Sequence, residues 1–279
     1  MSHMPIDPAF SDRIALAQHI ANAYAALSHV EAVVLAGSQT TGIADSGSDL
    51  DLYIYTHTAL SLADRRMVAR AFADRLELDN QFWEPGDEWI DRTTGICFDV
   101  MFRHLAWIED QLDRVLVRRA GSVGYSTCFW HNTRTALALF DRNGWFAALQ
   151  QRASQPYPPE LRQAIIAKNH PILRRNLSSY RHQLERAIAH NDLVSINHRI
   201  SALLASYFDI LFALNRVLHP GEKRLVSFAV TACAHVPPGM AEQIHALIQA
   251  GAVGDSMVIE AVDTLIEALD QLLLAEGLL

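Results

Sequence analysis

The run SDLDLYIY, residues 48–55, constrains this chain more than any other stretch. Polar and apolar residues alternate with period two, the signature of a strand with one buried side. The pleat then places Asp49, Asp51, Tyr53 and Tyr55 on one face and Leu50, Leu52 and Ile54 on the other. Two acids on one face, about one pleat repeat apart, suit a hard cation such as Mg²⁺, which takes oxygen ligands. Charge at the mouth of a buried strand is costly to desolvate, so the acids call for a counter-charge.

Two further stretches extend that reading. In GICFDVMF, residues 95–102, Cys97, Asp99 and Met101 share a face opposite Phe98, Val100 and Phe102. Asp99 is the lone charge in this apolar strand and needs a partner or a cation. If the two strands are neighbours, three carboxylates converge. Upstream, VEAVVLAGS runs an apolar strand into Gly37 and Ser38. Gly37 permits a sharp turn that brings backbone N–H groups near an anion, and Ser38 adds a hydroxyl donor. Alone, Gly37-Ser38 reads as a solvated loop. In order with Asp49, Asp51 and Asp99 it becomes an arrangement for holding a metal-bound triphosphate.

Composition sets the outer limits. The 279 residues are half apolar and 19% charged, which fits a folded protein of one large or two modest domains. A formal net charge of −8 argues against a long basic groove tracking nucleic-acid phosphates, though not against a short contact with an RNA end. Cys97, Cys128 and Cys233 are widely spaced, with no CxxC pair, so a disulfide framework and a zinc site are not expected, and reduced thiols in a cytoplasm are. The thirteen histidines show no zinc-binding spacing. No uncharged run reaches about 18 residues, so no membrane span is expected. No signal peptide is evident, and the opening MSHM reads as a cloning remnant with the native chain expected from Met4.

Periodicity divides the chain into two halves. The first reads as helix 11–27, strands at VEAVVLAG and DLDLYIYT, and an amphipathic helix over 61–77 capped by Ser61. A hairpin in NQFWEPGDEWID would turn at Pro85-Gly86, followed by the strand of Asp99. Helices are predicted over 104–120 and 133–153, with a loop at GSVGYSTCFWHN between them. SQPYPPE marks a boundary near residue 155. Beyond it, helices over 158–190, 192–218, 222–235, 238–250 and 255–276 with short connectors predict an antiparallel bundle. The expected architecture is α+β: residues 4–155 form a mixed sheet flanked by helices, and 156–279 form an all-α bundle.

GSQTTGIADSGSDLDLYIY followed by FDV resembles the nucleotidyltransferase superfamily of the DNA polymerase β type. Gly37-Ser38 matches its Gly-Ser pair, residues 39–48 its spacer, Asp49 and Asp51 its Asp-x-Asp, and Asp99 its third acid. The match runs over residues 30–103. Ser48 before the doublet, and a helical C-terminal half, resemble small bacterial members such as the aminoglycoside nucleotidyltransferases. The resemblance implies transfer of a nucleoside monophosphate from a triphosphate, ATP by default, to a hydroxyl of a small molecule, releasing pyrophosphate. Asp49, Asp51 and Asp99 would bind Mg²⁺, two ions in all, with Asp99 open between metal ligand and base. Gly37 and Ser38 would cradle the phosphates. Lys223 would reach the triphosphate from the second half or stand as an exposed first-turn lysine. Lys168 and Lys223 are the only lysines.

Other readings stay open. Glu84, Asp87, Glu88 and Asp91 are further base candidates, or solvated hairpin acids, and Trp83 and Trp89 could wall an acceptor pocket or pack in the sheet. Arg199 and Asp209 would form a buried polar pair with other helices or line a cleft. His131 is either structural or catalytic. A protein hydroxyl or a tRNA end could replace the small acceptor, and a nucleotide-binding regulatory module without turnover is a third possibility. Apolar helices such as 255–276 could support a homodimer.

Overall fold

A computed structural model describes residues 8–37, 48–82 and 85–279. The chain divides into two compact units, one of residues up to Gln111 with Asn132–Gln155, the other of Leu112–His131 with Pro156–Leu279.

The first unit is built on a six-stranded sheet of order β3-β4-β5-β2-β1-β6. Its strands are β1 (Val30–Ala36), β2 (Leu50–Thr56), β3 (Ala73–Asn80), β4 (Gly86–Asp91), β5 (Cys97–His104) and β6 (Leu137–Asp141). The sheet is mixed, because β2 and β5 run parallel while the other pairs are antiparallel. A parallel pair needs a long crossover, and here α2 (Leu62–Phe72) and the β3–β4 hairpin supply it. One face packs on α1 (Pro8–Ala25): Ala17, Ile20, Ala21 and Tyr24 bury Val33, Leu35, Leu50, Leu52, Ile54, Phe98 and Val100. These strand residues are the apolar halves of the alternating patterns. The opposite face carries Asp51, Tyr53 and Tyr55 on β2, with Cys97, Asp99, Met101 and Arg103 on β5. Part of it is covered by α5 (Trp145–Ala153), whose Trp145 and Phe146 rings lie 5.2 and 5.8 Å from Tyr55.

Two expected helices give way to strands. The helix over 61–77 starts as read, with Ser61 accepting from the Asp64 N–H at 3.1 Å, but it stops at Phe72. Ala73 turns extended, and the chain continues as β3. Leu76 and Leu78 are two apart, the period of a strand, and both pack on the sheet core. The helix over 133–153 is split into the end of α4 (Cys128–Thr135), strand β6 and α5. β6 pairs with β1, whose outer backbone groups would otherwise lack partners. After it, Asn143-Gly144 turns the chain, Gly144 adopting φ +72°, and Asp141 caps α5 by accepting from the N–H groups of Phe146 and Ala147. The stretch read as a loop, 121–132, is irregular only as far as Thr127, since α4 begins at Cys128.

The second unit is helical, with α6 (Pro159–Arg174), α7 (Tyr180–Ala189), α8 (Leu193–Asn215), α9 (Leu225–Ala232), α10 (Met240–Val253) and α11 (Met257–Ala275). A single helix over 158–190 is not formed. The turn at 176–179 divides it, and Ser179 caps α7 by accepting from the His182 N–H. α8 is the central element, packing against α6, α7 and α10. Asp209 within it is buried, and its partners are the Ser126 N–H and hydroxyl at 3.0 and 2.6 Å and the Asn169 amide at 3.2 Å, not Arg199. The Asn169 side chain also accepts from the Gly124 N–H, so the 121–127 segment is hydrogen-bonded to the bundle. Burial pushes the Asp209 carboxyl up to about 6 despite these donors. Among the described residues no helix is long and apolar enough to cross a membrane.

Candidate functional site: a row of carboxylates across the sheet

Register assembles the site. Asp51 on β2 lies directly beside Asp99 on β5. Across the antiparallel β4–β5 pair, Asp99 faces Glu88, and across β3–β4, Glu88 faces Glu77. Residues opposite one another share a face, so Asp51, Asp99, Glu88 and Glu77 form one row. Asp49 precedes β2 by one residue. The neighbouring Ser48 carbonyl accepts a hydrogen bond from Arg13 of α1. On the other side of Asp51, the register continues to Ala36, and Gly37 follows it with φ +67°. A Cβ at Gly37 would lie 1.8 Å from Asp51 Oδ2, so only glycine leaves room for that carboxylate.

The field of this row is felt at Cys97. Burial raises its thiol pKa, and Asp49, Glu88, Asp99 and Asp51 each raise it further. The three expected metal carboxylates therefore share one neighbourhood with Glu88. Two pleat repeats past Asp99, Arg103 offers the nearest positive charge along β5, its guanidinium 4.0 Å from the Tyr53 ring and 4.7 Å from Trp107.

The described hairpin acids, Asp87, Glu88 and Asp91, separate by face. Asp87 points into the core, where it accepts from Arg65 Nε at 3.0 Å and again from Arg65 Nη2. Asp91 caps the following turn, accepting from the N–H and hydroxyl groups of Thr93 and Thr94 at 2.7–3.1 Å. Burial works to raise its carboxyl, but these donors outweigh it and hold it low. Neither is placed to act as a base. Trp89 is also in the core, stacked on Phe98 at 5.9 Å. Glu88 is the hairpin acid on the row. Ser38, Trp83 and Glu84 lie outside the described residues.

In the second unit, Lys223 is exposed in the turn before α9. His131 is buried, edge-on to Phe228 with ring centroids 6.2 Å apart. Glu77 escaped the sequence reading because it was placed in the helix over 61–77. The two-residue spacing of Leu76 and Leu78 was the signal that could have found it.

Among the described residues, no three metal-binding side chains form a ready-made cage. Mg²⁺ is usually held by one or two carboxylates plus substrate phosphates and water rather than by an all-protein cage. The donor set is all oxygen and hard, and Gly37 leaves the Asp51 carboxylate uncrowded on its β1 side, so the residues fit such an ion.

A family described as a domain of unknown function (DUF4037) matches residues 130–225, a minority of the chain. No curated protein matches the sequence. Among solved structures, the chain is similar to a nucleotidyltransferase-like protein from Exiguobacterium sibiricum, at 12% identity and a TM-score of 0.44, covering 95% of this chain and 76% of that one. It is similar to a STING-associated CdnE c-di-GMP synthase from Capnocytophaga granulosa at 11% identity and 0.33, covering 98% and 84%. A Thermotoga maritima CCA-adding enzyme complexed with tRNA overlays at 13% identity and 0.34, covering 96% and 66%. With TM-scores this low, the overlays assign neither family nor activity.

Proposed function

We propose that this chain is a nucleotidyltransferase of the polymerase β type. It moves a nucleoside monophosphate, AMP from ATP in the first instance, to a hydroxyl of a small molecule and releases pyrophosphate. The observation that supports this most is the side-by-side register of Asp51 and Asp99, with Asp49 one residue before β2 and Gly37 yielding space to Asp51.

Phosphoryl transfer depends on positioning and charge neutralisation more than on covalent chemistry by the protein. Asp49, Asp51 and Asp99 would hold Mg²⁺, with two ions the working number. The bound metal supplies neutralisation of the triphosphate and of the developing charge on the leaving oxygen. The carboxylates themselves fix where the triphosphate docks. Gly37 is proposed to help cradle the phosphates, with Ser38, which lies outside the described residues, as an added hydroxyl donor. Lys223 is a proposed contact to the triphosphate, and the cytoplasm is the proposed compartment, in keeping with free thiols at Cys97, Cys128 and Cys233.

Asp51→Ala tests the reading. Magnesium-dependent pyrophosphate release from ATP is expected to fall by roughly 10²–10³-fold, with far-UV circular dichroism unchanged. A folded variant with full activity rejects it. Running the assay with labelled ATP in lysate sorts acceptors: label in acid-soluble products supports a small molecule, and label in protein or RNA supports a macromolecular one. Tight ATP binding without turnover against any acceptor would indicate a regulatory module.

A further inference from the structure

The helical unit carries a cavity of its own, about 410 Å³ in volume. One side is α6, whose Ile166, Ala167, His170, Pro171 and Arg175 recur at helical spacing, and Leu278 beyond α11 also borders it. The volume falls in the range of small-ligand sites, about 300–1,000 Å³, near its lower end.

Three polar groups border this space without a full set of partners. His170 is buried, and its Nε2 meets Asp270 Oδ1 at 2.5 Å. Arg174 donates to the other oxygen of Asp270. Burial works to raise the Asp270 carboxyl, but His170 and Arg174 outweigh it and hold it low. An ionised carboxylate only accepts, so the shared proton belongs to Nε2, and Nδ1 of the neutral ring keeps a lone pair. Nδ1 takes no hydrogen bond from the described residues, yet it is not sealed from solvent, so it opens on the cavity that His170 borders. Pro171 marks a second acceptor, because it has no N–H to return to the Ala167 carbonyl one turn back. Arg175 supplies the donor. It ends α6, is exposed, and its guanidinium has no ion-pair or hydrogen-bond partner among the described residues.

We propose that this cavity binds a small aliphatic α-amino acid. Its carboxylate pairs with Arg175, whose planar fork matches two carboxylate oxygens. Its ammonium donates to His170 Nδ1 and to the Ala167 carbonyl, and its side chain rests on Ile166 and Leu278. A plain carboxylic acid would leave both acceptors unfilled, and a plain amine would leave Arg175 unfilled. A zwitterion serves both and adds no net charge where Asp270 is already balanced by Arg174. The site belongs to the helical unit alone and does not depend on nucleotidyl transfer.

Isothermal titration of the full chain with valine, leucine, isoleucine and methionine tests this. At least one is expected to bind. For the tightest of them, the analogue lacking the amine and the analogue lacking the carboxylate are each expected to bind about tenfold more weakly or worse. Arg175→Gln should weaken amino-acid binding by a similar factor, about tenfold or more. Ala167→Phe, which fills the cavity from an exposed helix position, should abolish it. Both changes should leave far-UV circular dichroism as it is. In spectra of ¹⁵N-histidine-labelled protein, with His170 assigned through His170→Gln, the His170 Nδ1 signal should move during the titration. Binding by none of the four amino acids, or unchanged binding in Ala167→Phe, overturns the site. Equal binding of the amine-free analogue, or an unmoved Nδ1 signal, overturns the roles of His170 and Ala167. Equal binding of the carboxylate-free analogue overturns that of Arg175.

Discussion

At the scale of single residues, Gly37 carries the sharpest requirement. Its φ of +67° already disfavours any side chain, and a Cβ would overlap the Asp51 carboxylate. Gly37→Ala is therefore expected to displace Asp51 or the turn. Magnesium-dependent pyrophosphate release should fall at least about tenfold, a loss of roughly 1.4 kcal/mol or more in transition-state stabilisation. Thermal unfolding should shift by only a few degrees, and the two measurements together separate a site effect from a folding defect. The shared face of Asp51 and Asp99 was legible in the sequence because alternation alone fixes which face a strand residue occupies. Choosing among Asp87, Glu88 and Asp91 was not possible there. Their faces depend on where the hairpin starts to pair and on Arg65, a partner over twenty positions upstream of Asp87. Asp209 is buried and paired with another helix, as expected, through Asn169 of α6, while Ser126 reaches it through tertiary packing that no local pattern announces.

At the scale of elements, the β3–β4 hairpin is hooked to α2 by Arg65. Its guanidinium donates to both oxygens of Asp87 and to the Gly86 carbonyl at 3.1 Å, and stacks 4.4 Å from the Phe102 ring centre. Asp87 has no solvent exposure, so removing the cation strands a buried carboxylate. Arg65→Ala should cost about 3–5 kcal/mol in urea unfolding. Asp87→Asn in the same background should recover part of that loss, since it removes the stranded charge. Helix and strand existence was readable for α1, β1, β2, β5 and most of the bundle, where one periodicity holds throughout. It failed over 73–77 and 137–141, where short strands follow helices with no proline or glycine to announce the change. Over 73–77 the deciding force is hairpin pairing with β4, and over 137–141 it is pairing with β1, about a hundred positions upstream. The turn at 176–179 was missed because the apolar pattern continues across it.

For the whole molecule, the two units respond to solution conditions in different ways. In the first, carboxylates crowd one row, so a bound cation should stabilise it. In the second, Asp209 is pushed up to about 6 by burial, against about 3.9 in an unfolded chain. Between those values the folded state holds a proton that the unfolded state has released. Stability from this group is thus fully present below about pH 4 and declines as pH rises through about 6, by on the order of 3 kcal/mol. Asp209→Asn, which cannot ionise, lacks this decline, so the stability advantage of wild type over the variant should shrink from about pH 4 to about pH 7 in urea titrations. The parallel pairing of β2 with β5 has a further consequence, for how the molecule matures. Asp51 and Asp99 lie forty-eight positions apart and meet only after α2 and the hairpin have been laid down between them. Such non-local pairing is slow, because chain closure precedes any reward from contact. A nascent or half-folded chain therefore has no paired acids with which to capture a cation. Under the proposed metal role, cation affinity would arrive only once the sheet has closed in the right register, and a chain slipped by one residue would not acquire it.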